Sequence, residues 1–191
     1  MGTRTKTGWA VLVTLGLERG RPTVLDRRRL DLVDDQEQAF AYHHAATLPL
    51  EDATSFLRDV DALAVERATE GVMATVAALR AEGREPAVVT VPVGSGSLPD
   101  DLVTVLGNHT LLHTGEGLLY AEALAEAGEA AGLTVVEVPA KELAGRLAAD
   151  SGLGARRVDD AIGAAGKALG PPWRKEQKEA AQAAWLSCLS A

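Results

Sequence analysis

The sequence predicts an α/β fold: a mixed sheet with an N-terminal antiparallel strand pair, later parallel strands, and helices on both faces. Three observations point there. Trp9–Leu17 and Ala87–Val93 are apolar, β-rich runs without polar alternation, the pattern of strands covered on both sides. Between them lies a long segment with helical periodicity, and after them helix and strand signals alternate. At 191 residues, 47% of them hydrophobic and 24% charged, the chain can bury one sizeable core but is short for two. Residues 1–191 are therefore expected to form a single domain.

Trp9–Leu17 is expected to hold a central place in the sheet. Glu18-Arg19-Gly20-Arg21-Pro22 supplies turn chemistry, and Thr23–Val33 reads as a half-exposed strand paired antiparallel with the first, because Leu30 and Leu32 alternate with Arg29 and Asp31. Asp34–Pro49 is acidic and then mixed, a connector with about one helical turn that carries Tyr42-His43-His44. Leu50–Glu82 repeats Phe56, Val60, Leu63, Ala64, Val72, Val76 and Leu79 at three- and four-residue steps, predicting a long helix ended by Gly83. Gly71 within it marks either a break or a close helix contact.

Ala87–Val93 leads into the loop Gly94-Ser95-Gly96-Ser97, then a short helix over Asp101–Leu106 and another from about Gly117 to Ala131, stopped by Gly132. Thr134–Val138 is a further strand, and helices are expected at Ala140–Ala149, Arg156–Leu169 and Lys175–Leu189. Crossover connections make the last two strands parallel to the first.

A formal net charge of −8, from 27 acidic and 19 basic residues, repels phosphate backbones and argues against nucleic acid as a partner. The single cysteine, Cys188, excludes an internal disulfide and suits a reducing compartment. The apolar run after the basic Met1–Lys6 segment is short, strand-like and without a small-residue cleavage site, and no segment is long enough for a bilayer. The expected location is the cytoplasm.

Several segments resemble the RuvC-type branch of the ribonuclease H-like superfamily. They are Lys6-Thr7-Gly8-Trp9-Ala10-Val11, Glu116-Gly117-Leu118-Leu119-Tyr120-Ala121 opening a helix, Ala131–Pro139 entering the last strand, the Arg156–Leu169 helix ending in Gly170-Pro171-Pro172, and Glu179-Ala180-Ala181-Gln182-Ala183-Ala184. The last is similar to that family's Asp-Ala-Ala-Asp-Ala-Leu helix. The resemblance implies a three-layer ribonuclease H-like fold, homodimers, nucleic acid as a partner, and two metal ions held by carboxylates for in-line displacement at phosphorus.

The acids that such chemistry needs are largely replaced. Aligned on Thr7-Gly8-Trp9, the family's first-strand aspartate falls at or before Met1; Trp9–Leu17 has no acid, and the strand ending Pro92-Val93-Gly94 lacks the family's glutamate. The final helix keeps Glu179 but has Gln182 in the second position. Mg²⁺ demands hard oxygen ligands, so amides and hydroxyls do not substitute for carboxylates. The expectation is a degenerate, pseudo-nuclease member acting by binding or assembly, with no cofactor and no metal site. The alternative is a rebuilt metal-dependent nuclease or phosphoryl hydrolase, using Mg²⁺ or Mn²⁺ with Glu116, Glu179 and one of His109 or His113.

Glu116 follows Asn108-His109-Thr110-Leu111-Leu112-His113-Thr114, the densest run of chemical side chains. Were it helical, His109, His113 and Glu116 would share a face; the plainer reading makes Thr114 a helix cap, with Glu116 and Glu122 early in the helix. Neighbouring His43 and His44 point in different directions and read as surface or interface packing beside Tyr42. Gly94, Ser95, Gly96 and Ser97 occupy the strand-to-helix position where open α/β sheets bind ligands, so a phosphate cradle is weighed against a plain connection. Arg27-Arg28-Arg29 reads as a solvated, aggregation-resistant edge.

Overall fold

The computed structural model describes residues 1–190. Among them five strands form one mixed sheet of order β3-β2-β1-β4-β5: β1 Gly2–Lys6, β2 Trp9–Glu18, β3 Arg21–Asp31, β4 Val88–Val93 and β5 Thr134–Pro139. The helices are α1 Gln36–Ala39, α2 Ala41–Ala45, α3 Leu50–Ala81, α4 Leu102–Leu106, α5 His109–Ala130, α6 Leu143–Asp150, α7 Ala155–Lys167 and α8 Lys175–Leu189. None is long and apolar enough to cross a membrane.

The expected fold class holds, with one correction at its centre. The middle strand is β1, a stretch that carries no hydrophobic pattern, and Trp9–Glu18 lies beside it. β1 and β2 form a tight antiparallel hairpin, Lys6 opposite Trp9, in which Gly8 takes φ +79°. A side chain at Gly8 would also press on Ala39, so glycine meets both demands. β4 runs parallel to β1 and β5 parallel to β4, so the late strands are parallel to β1 and not to the Trp9 strand. Composition hid β1 because its burial comes from neighbours: Gly2 and Thr3 are buried although neither is strongly apolar.

The sheet separates two cores. Ala10 and Leu12 of β2, with Leu30, Val89 and Val91, pack under α3 and α5; Val11, Val13 and Leu15 pack under α6, α7 and α8. That division explains the unalternating β2 sequence, since both of its faces are covered. Gly71 does not break α3. A Cβ there would meet the Leu30 side chain, so it lets the helix lie close on β3. The chain turns at Gly83 (φ +73°) after α3 and at Gly132 (φ +77°) after α5.

α8 crosses β1 at Gly2. A Cβ on Gly2 would fall onto the Ala184 amide and the Ala180 carbonyl, so backbone meets backbone. The alanines of α8 serve the same approach: Ala180, Ala181, Ala183 and Ala184 are fully buried, with Trp185 and Leu186 filling the space beyond.

Candidate functional site

A cleft of about 380 Å³ opens at the carboxyl ends of β1, β4 and β5. Its lining includes Arg4, Lys6, Pro92, Gly94, His113 and Glu116. Glu116 is the one acid among the described lining residues. Gly2 and Arg4 both point towards α8, as strand alternation requires, and Arg4 Nε donates to Glu179 Oε2 at 2.6 Å. Lys175 Nζ lies 3.7 Å from the other oxygen of the same carboxylate. Glu179 is thus held between two cations. Gln182 donates to Asp159 at 3.3 Å.

On the opposite wall α5 begins earlier than the cap at Thr114 would allow. Asn108 is the N-cap, accepting from the amides of Thr110 and Leu111, and the helix runs from His109. His109, His113 and Glu116 therefore do share a face. The short α2 packs across it, because Gly115 has no side chain: a Cβ there would lie 2.7 Å from the Tyr42 ring. The Tyr120 hydroxyl donates to the carbonyls of Gln38 (2.7 Å) and Ala39 (2.9 Å), tying the start of this segment to α5. Burial, and secondarily the nearby Glu116 charge, push the Tyr120 phenol above its ordinary range.

This packing brings His43 to Glu116. His43 Nδ1 is 2.7 Å from Glu116 Oε1, and Oε2 of the same carboxylate lies 3.7 Å from His113 Nδ1. Glu116 is only 4% exposed, so a charged carboxylate here needs this partnership. An ionised carboxylate can only accept, which makes His43 Nδ1 the donor of this hydrogen bond. The rings of His43, His109 and His113 stand 4.6–5.3 Å apart, centroid to centroid. His44 points away, against Phe56 and towards Glu37.

The glycine-serine loop is divided between two hollows. Gly94 lines the cleft, while Gly96 and Ser97 line a separate hollow with Tyr42, Asp61 and Glu122. Burial raises the carboxyls of Asp61 and Glu122, and repulsion from Asp61 adds to the shift at Glu122. An anion at Gly96–Ser97 would face these acids. Glu116 and Glu179 belong to opposite sides of the sheet, one on α5 and the other on α8 paired with Arg4.

His43, which the sequence reads as packing beside Tyr42, and Arg4, which it does not single out, are the two residues that the fold brings onto Glu116 and Glu179. Neither has a local signal: His43 reaches Glu116 because its neighbour Tyr42 packs across Gly115, and Arg4 reaches Glu179 by strand alternation over α8.

No protein-family model matches this sequence, and no curated protein does either. Among solved structures the chain is similar to the Thermus thermophilus RuvC structure, with a TM-score of 0.53 and 13% sequence identity, over 96% of this chain and 89% of that one. At that identity the likeness speaks for architecture alone, and it agrees with the strand order and the two helical layers. The chain has a RuvC-like, ribonuclease H-like α/β fold.

Proposed function

We propose that this chain is a RuvC-like pseudo-nuclease, which does not cleave phosphodiester bonds with carboxylate-held metal ions. It acts by binding or assembly, and a homodimer is the assembly that the family resemblance implies. The observation that carries this reading is the Arg4–Glu179 pair at 2.6 Å. Of the acids that the resemblance leads one to look for, Glu179 is the one that remains on the final helix, and its charge is already matched. A divalent ion at Glu179 would have to displace Arg4 or sit beside it. Each unit of like charge about 4 Å away costs about 4 kcal/mol at an effective dielectric constant of 20.

The test is a cleavage assay on branched and single-stranded DNA and on RNA with Mg²⁺ or Mn²⁺. No cleavage is expected. Cleavage that disappears with Glu116→Gln or Glu179→Gln would overturn the proposal. It would favour the second reading, a rebuilt phosphoryl hydrolase on Glu116, Glu179 and His109 or His113, for which the shared cleft lining of Glu116 and His113 speaks.

A further inference from the structure

We propose that His43, His109 and His113 form a binding site for one divalent late first-row transition-metal ion, of which Zn²⁺ is the reference case, with Glu116 as the buried carboxylate that orients the His43 imidazole. The three side chains come from two elements, α2 and α5, and each offers a ring nitrogen within 4.8 Å of the other two. A tetrahedral Zn²⁺ with Zn–N bonds of about 2.0–2.1 Å needs nitrogens about 3.4 Å apart. Small ring rotations cover that difference, and two of the three residues are exposed and free to make them.

The chemistry of the donor set selects the ion. Imidazole nitrogens suit Zn²⁺, Co²⁺, Ni²⁺ and Cu²⁺, whereas Mg²⁺ and Ca²⁺ require oxygen ligands. Glu116 strengthens the case. It accepts from His43 Nδ1, which leaves Nε2 to serve as the ligand atom, the arrangement by which carboxylates support metal-bound histidines. The carboxylate is buried, and its negative charge lies where a bound cation would be attracted. Three protein nitrogens leave one position of a tetrahedron for water or an incoming donor, and His113 also lines the sheet-end cleft.

The surrounding structure holds the ligands ready. Asn108 caps α5 one residue before His109, Gly115 lets α2 approach, and Tyr120 fixes the carbonyls of Gln38 and Ala39 just ahead of α2. Three histidines gathered only as packing would need no buried acid behind them.

The site does not depend on the loss of carboxylate-held metals proposed above, and the two are tested apart. Tag-free chain, stripped with chelator, is titrated with Co²⁺ and followed by visible absorption, then with Zn²⁺ in competition with a chromophoric chelator. One equivalent bound per chain, with Co²⁺ bands typical of nitrogen ligation, is expected. His109→Ala and His113→Ala, both at exposed positions and checked by circular dichroism, should abolish the bands. Glu116→Gln should weaken Zn²⁺ binding about 10–100-fold, and His44→Ala should leave it unchanged. Absence of stoichiometric binding, or binding that survives the His109→Ala/His113→Ala double variant, overturns the proposal, as does equal loss with His44→Ala. These outcomes are read without any nuclease assay.

Discussion

At the residue scale, Tyr120 shows how one side chain can hold a site together. It is 1% exposed, and its hydroxyl is shared between two carbonyls of the segment that leads into α2. Tyr120→Phe keeps the ring but leaves those carbonyls without that donor, at a cost of about 1–3 kcal/mol. Thermal or urea unfolding measures this, and the same variant should loosen the His43–Glu116 contact because α2 loses its tether. The tyrosine stands within the Glu116–Ala121 segment that carries the family resemblance, yet its partners lie more than 80 residues away in sequence. The same holds for the histidines. His109, His113 and Glu116 are legible as a face once the stretch is helical; His43 is not, because two adjacent histidines give no sign of which one the packing of Tyr42 on Gly115 will turn towards Glu116. Cys188 stands apart from these groups: it packs beside the α6–α8 core, its thiol donates to the Leu15 carbonyl at 3.2 Å, and burial raises its pKa.

At the element scale, the readable signals are the ones with a period or a stop. α3 ends before Gly83 and α5 before Gly132, and Val88–Val93 and Thr134–Pro139 lie where β-rich runs place them. β1 is not readable, since Gly2-Thr3-Arg4-Thr5-Lys6 has neither apolar content nor hydrophobic alternation. It is a strand because β2 and β4 supply its ladder partners and α8 covers it. Gly2 is the point at which that arrangement is most exacting. Gly2→Ala puts a methyl against the backbone of α8 rather than against a side chain that could turn away. Helix and strand must separate, and overpacking of this kind costs about 1–3 kcal/mol or more. Chemical denaturation should show the loss, whereas Gly20→Ala, with open space around its Cβ but φ +77°, should cost only the smaller strain of a left-handed alanine. A Gly2→Ala variant as stable as the parent would mean that α8 does not rest on β1 as described.

At the scale of the whole molecule, the sheet is the one element common to both cores. β2 sends Ala10 and Leu12 to one side and Val11, Val13 and Leu15 to the other, so neither layer can lose its packing without exposing a strand that the other layer needs. The three tryptophans lie on one side only: Trp185 is buried with α8, and Trp9 and Trp173 pack against the same cluster. The longest helices, α3 and α5, lie on the opposite side. Tryptophan fluorescence therefore reports one layer, while far-ultraviolet circular dichroism is weighted towards the other. If residues 1–190 unfold as one cooperative unit, the two probes trace coincident urea transitions with a common midpoint. A fluorescence transition that precedes the loss of helicity would mean that α6, α7 and α8 detach from a sheet still backed by α3 and α5. That result would also separate Glu179, carried by the detaching layer, from the α2–α5 histidine cluster, which would remain folded and able to bind its metal ion.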